Sequence, residues 1–102
     1  MGYPAPPEHV GKVIEARHPD GRVRRHVITG EIHFAQRGSK TKRIYLQRIR
    51  LDNGREELRL GYYIIGKTGS MKGRWVWGQY AAFLPCRDLK KVFQKAKKAG
   101  WL

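Results

Sequence analysis

Cysteine is nearly absent from this chain. Its one thiol, Cys86, has no partner for an internal disulfide and leaves no thiolate pair for zinc, which points to a reducing, cytoplasmic setting. Long apolar runs are absent too. The longest, residues 62–65 and 80–85, fall far short of the roughly 20 residues that cross a bilayer. The N-terminus, Met1-Gly2-Tyr3-Pro4-Ala5-Pro6-Pro7, lacks the charged start and apolar stretch of a signal peptide. No segment is a long amphipathic helix with bulky apolar anchors, so no membrane partner is expected. The largest deficit is in acid: 8 Asp and Glu stand against 22 Lys and Arg, a formal net charge of +14. Self-repulsion of that size opposes the compact state and points to a polyanionic partner. Nucleic acid fits best, because each phosphate neutralised releases counterions.

What is present reads as one β-rich unit. Residues 1–9 carry Pro4, Pro6 and Pro7 and read as a flexible, extended arm. The remainder, residues 10–102, has room for one core. A first strand over 12–17 leads to the turn Pro19-Asp20-Gly21. A second, over 22–35, places Val23, Val27 and Thr29 on one face and Ile28, Ile32 and Phe34 on the other, with Gly30 as a bulge or bend. The third, over 44–51, changes apolar parity, which predicts a bulge near Gln47 and Arg48. Asp52-Asn53-Gly54 is a hairpin turn. In the fourth strand, Leu58, Leu60, Tyr62 and Ile64 point to the core, while Glu57, Arg59, Gly61 and Tyr63 line an open face. Residues 66–73 read as a flexible loop, and a fifth strand spans 74–84. Pro85 then opens a helix whose Leu89, Val92, Phe93 and Ala96 form one apolar stripe and which stops at Gly100. The expected class is α+β, mainly β: a bent antiparallel four- to five-stranded meander with one C-terminal amphipathic helix.

Several patterns imitate chemistry. Gly61-Tyr62-Tyr63-Ile64-Ile65-Gly66-Lys67-Thr68 matches the phosphate-binding pattern G-x-x-x-x-G-K-[ST]. Its four inner residues belong in a strand, however, and Gly69-Ser70-Met71-Lys72-Gly73 will not start the helix that such a loop needs. His9, His18, His26 and His33 are too dispersed for a helical metal motif, and His26 and His33 have opposite strand parity. No metal or other cofactor is expected, and no catalytic constellation is recognisable. A small nuclease is the alternative. A metal-dependent one would draw on Glu31, Asp52, Glu56 and Glu57, and a ribonuclease toxin would use His26 or His33 as a base beside an arginine.

The positive case is a basic, aromatic sheet surface. Arg37, Lys40, Lys42 and Arg43 precede the third strand, which carries Arg48 and Arg50. Lys67, Lys72 and Arg74 flank the last hairpin, which ends in Trp75-Val76-Trp77, and Tyr63 projects with Arg59. Single strands are held by such sets, the cations tracking the backbone and the rings stacking on unpaired bases. Trp75 and Trp77 have two readings, stacking on bases or covering the sheet.

The stretch Ile44-Tyr45-Leu46-Gln47-Arg48-Ile49-Arg50, then Leu58-Arg59-Leu60-Gly61-Tyr62-Tyr63, then Lys72-Gly73-Arg74, then Leu84-Pro85 and the helix, resembles in order and residue type the positive cofactor four family. Those are single-stranded DNA-binding transcriptional coactivators, with the plant Whirly proteins on a related plan. The resemblance covers roughly residues 43–102. It implies homodimers joined partly through the helices and a curved sheet offering a basic groove, with contacts on Arg48, Arg50, Lys72, Arg74 and Trp75. The two tryptophans, the N-terminal hairpin and the very high charge depart from it. The sequence-based expectation is therefore nucleic-acid binding, with single-stranded DNA favoured over RNA or duplex.

Overall fold

Strands bounded by glycine-bearing turns fold as an antiparallel meander in the order β1-β2-β3-β4-β5, followed by one helix. The structure, a computed structural model, describes residues 3–17, 19–78, 83 and 85–102. The strands are β1 (Val13–Arg17), β2 (Val23–Ala35), β3 (Lys42–Arg50), β4 (Glu56–Ile65) and β5 (Trp75–Trp77), and the helix is α1 (Cys86–Lys98). The sheet curls into a half-barrel, so the mainly-β α+β class is the observed one. The part of the expected fifth strand at 79–82 and 84 lies outside the described residues, as does His18.

Local chemistry sets the turns. Gly21 and Gly54 take φ of 83° and 84°, the left-handed region that glycine enters without a Cβ clash. Beside them, Asp20 Oδ1 accepts from the Arg22 N–H and Asn53 Oδ1 from the Arg55 N–H, each at 2.9 Å. The helix ends in a Schellman arrangement: Gly100, at φ 80°, donates to the Lys97 carbonyl and Trp101 donates to that of Ala96. Residues 66–74 are not a slack loop. They fold around a 3-10 turn at Gly69–Met71, with Gly66 N–H donating to Arg74 O and Gly73 N–H to Gly66 O, both at 2.9 Å. The stretch that imitates a phosphate-binding loop thus runs along β4 into this turn, with no helix after it.

One bulge differs from expectation. β3 pairs with β4 without interruption from Lys42↔Ile64 to Arg50↔Glu56, so there is none at Gln47 or Arg48. The register shifts in β2, where Ile28 pairs with Ile49 but Gly30 pairs with Arg48, leaving Thr29 as the extra residue. The third strand changes apolar parity because it is buried on both faces. Ile44 and Leu46 pack under α1, while Tyr45, Gln47 and Ile49 are buried on the opposite side. The bulge also puts Ile28 on the face away from Ile32 and Phe34, and brings His26 and His33 onto one face. Six residues still lie between those two histidines, roughly 20 Å along the strand.

The core beneath the helix holds Phe34, Ile44, Leu46, Tyr62, Val92 and Ala96, with Ile32 and Trp101 at its margin. Trp101 lies flat on Gly30, where a Cβ would come within 2.6 Å of the ring. The buried stripe of α1 is Asp88, Val92 and Ala96, narrower than the periodicity implies. Leu89 and Phe93 are exposed beside it, as are Leu58, Leu60 and Ile64 on β4.

Candidate nucleic-acid interface

The structure divides the nominated residues into three groups. The first occupies one end of the sheet. Arg37 and Lys40 sit in the β2–β3 connector, Lys42 begins β3, and Lys67, Lys72 and Arg74 belong to the β4–β5 connector. The β2–β3 connector meets the end of β4, where the Ile65 N–H donates to Thr41 O at 2.9 Å, and a shallow groove of about 300 Å³ between the two connectors is lined by Tyr3, Thr41, Lys67 and Lys72. Lys42 is partly committed, with Nζ donating to Phe83 O at 2.9 Å and lying over the Tyr62 ring. The side chains of Arg37, Lys40, Lys67, Lys72 and Arg74 are exposed and make no ion pair among the described residues.

The second group, Arg43, Arg59, Tyr63, Trp75 and Trp77, lies on the face away from α1. This face is not open, because the N-terminal arm covers it. Trp75 Nε1–H donates to Pro4 O at 2.8 Å, and the Tyr45 hydroxyl donates to Pro7 O at 2.7 Å. Trp77 crosses the bare backbone of Gly61, flanked by the Arg59 guanidinium at 4.4 Å from its ring and by Tyr63 edge-on at 5.1 Å. Trp77 therefore covers the sheet, whereas Trp75 reaches out to the arm.

Beneath the arm runs a polar chain that sequence reading missed. Glu31, its side chain 3 % exposed, accepts from the backbone N–H of His9 at 3.2 Å, from its ring Nδ1–H at 2.9 Å, and from Gln47 Nε2 at 2.6 Å. Gln47 is fully buried, and its Oε1 accepts from Arg59 Nε and Nη2 at 3.0 and 2.7 Å. Tyr63 Oη lies 2.9 Å from His9 Nε2, and the two rings stack. Every member has a partner, as a polar cluster in low dielectric requires. Burial, joined by the Glu31 charge, raises the Tyr45 hydroxyl pKa well above the ordinary value. Burial raises that of Tyr63 too, and lowers that of the Arg59 guanidinium. The sequence did hold one signal: Tyr45 and Gln47 share a parity on a strand whose other face is apolar. His9 had none.

The third group, Arg48 and Arg50, is at the far end of the sheet. Arg48 is taken up by Trp101, 5.4 Å from its guanidinium, and by Glu56 at 3.8 Å. Arg50 pairs across the strands with Glu56.

The nuclease candidates fare similarly. Asp52, Glu56 and Glu57 each face an arginine at the turn end, far from Glu31. Among the described residues no three His, Cys, Asp or Glu side chains come together as a metal site. His33 does lie beside an arginine. Arg43 Nε and Nη2 approach its Nδ1 at 3.2 and 3.0 Å, and because a guanidinium only donates, Nδ1 must accept. That fixes the ring proton on Nε2 and occupies the lone pair a general base would need.

No described helix is long and apolar enough to cross a membrane. Compared with protein-family models, curated proteins and solved structures, the chain matches none.

Proposed function

We propose that this protein binds nucleic acid, single strands ahead of duplex, and that the phosphates dock where the β2–β3 and β4–β5 connectors meet. One observation carries the reading: the charges are sorted along the strands. Five of the eight acidic residues, Glu15, Asp20, Asp52, Glu56 and Glu57, lie toward the opposite end, each within 4.0 Å of an arginine. The connector end has Asp88 and, on the arm, Glu8. Asp88 is buried, and its carboxylate accepts the Arg37 backbone N–H at 2.9 Å. The cations there are left to solvent and its anions, the condition under which phosphate contacts release counterions. Aromatic rings directly behind them, Trp75 next to Arg74 and Tyr63 next to Trp77, favour strands with unpaired bases.

The test is fluorescence anisotropy with labelled single-stranded DNA, RNA and duplex over a salt series, with the same oligonucleotides run on a gel to detect shortening. Lys67→Glu combined with Lys72→Glu is expected to weaken single-strand binding by about tenfold or more. It should also flatten the log–log salt slope by roughly 1.4, about 0.7 for each phosphate that is no longer neutralised. Arg25→Glu, at the opposite, ion-paired end, should change neither. Equal weakening by both variants would refute docking at the connector end.

A further inference from the structure

We propose that the arm and a single-stranded nucleic acid compete for the same aromatic cleft, so that residues 3–9 form a strap displaced when bases stack. This rests on the nucleic-acid reading above and assigns the base-binding part of that site. The arm is attached in a way that a ligand can replace. Among the described residues, none of 3–8 takes part in a backbone-to-backbone hydrogen bond, and Tyr3, Pro4, Ala5 and Glu8 are exposed. Sheet side chains hold it instead, Trp75 and Tyr45 each donating to a proline carbonyl. Those carbonyls, on Pro4 and Pro7, are three residues apart, one turn of a polyproline helix.

The arm also presents the groups that a nucleotide would present. The His9 ring stacks on Tyr63 with centroids 5.2 Å apart and planes 15° apart, and meets Tyr45 edge-on at 6.0 Å. A flat heterocycle bonded through a ring nitrogen to a tyrosine hydroxyl is how an unpaired base would sit there. Tyr3 lines the groove between Lys67 and Lys72 at the basic end. A strand docked by its phosphates on the connectors therefore runs into the arm. Once displaced, the arm uncovers Tyr63 and Trp75 for stacking, while Gln47 still donates to Glu31.

The experiment uses the full chain as wild type, as His9→Ala, and as the double variant Pro6→Gly with Pro7→Gly, which loosens the arm and leaves the His9 side chain and its partners in place. A short labelled oligothymidylate is the probe, read by anisotropy at fixed salt. Only the strap-open fraction binds through the cleft, so apparent affinity rises with that fraction. Both variants should bind about three- to tenfold more tightly than wild type. In wild type, saturating oligothymidylate should shift the Trp75 indole N–H resonance and speed its hydrogen exchange as the bond to Pro4 opens. Unchanged affinity in both variants, with the Trp75 indole still protected in the complex, would make the arm a fixed part of the fold and overturn the strap while leaving nucleic-acid binding intact. Failure of all three proteins to bind DNA or RNA would overturn the nucleic-acid reading, and the competitor with it.

Discussion

At the scale of residues, His33 shows how neighbours set a charge state. Its ring stacks on Tyr45 at 4.5 Å, and burial and then Arg43 push its pKa below the ordinary value, against weaker opposing pulls from Glu31 and Glu8. An unfolded chain therefore takes up this proton first as pH falls. Stability contributed by the neutral imidazole is present above about pH 6.5 and declines as pH drops through the unfolded value toward the folded one. Urea midpoints taken near pH 7.5 and pH 5.5 should fall more for wild type than for His33→Gln, which cannot titrate. Gly61 makes a different point. A glycine inside a strand signals close approach of another group, and here that group is the Trp77 ring, into which a Cβ would project. The signal was legible in the sequence; its partner, on another strand, was not.

Among the elements, the turns and the helix were the most legible because their signals are local. Gly21, Gly54 and Gly100 all take the positive φ that their positions suggest. Gly100→Ala would force a Cβ into that region at the helix end, at a cost of about 1–2 kcal/mol, and would loosen Trp101 from Gly30. Thermal melting should fall by several degrees, whereas Lys98→Ala, at an exposed position in the last helical turn, should stay near wild type. The irregularity expected at Gly30 is where the register of β2 shifts, but the second, expected near Gln47 and Arg48, is absent for a physical reason: a parity change in β3 reads the same whether that strand slips or both its faces are buried. The docking of the arm could not be read at all. Trp75 and Pro4 are 71 residues apart, and the acceptor is a main-chain carbonyl, which every residue carries. The nominated cations could be listed from composition alone. Their sorting into a free set around the connectors and a paired set around Arg48 depends on strand register, which sequence pattern alone does not fix.

For the whole molecule, a net charge of +14 means that cations crowd one another wherever carboxylates are missing. Salt screens that repulsion over a Debye length of about 10 Å at 0.1 M. Raising sodium chloride from roughly 0.02 to 0.3 M should therefore raise the melting temperature by a few degrees, measured by scanning calorimetry. A drop instead would mean that the ion pairs at the far end of the sheet contribute more than the repulsion around the connectors.

Charge sorted along the strands also makes the molecule a permanent electric dipole. In the field of a polyanion it is turned before contact, basic connectors foremost, so that a larger share of encounters arrive in a productive orientation. The effect belongs to the association rate and fades steeply with ionic strength, leaving the dissociation rate to the short-range contacts. Copies aligned by one polyanion carry their dipoles in parallel and repel when side by side, which favours spacing along a strand over clustering.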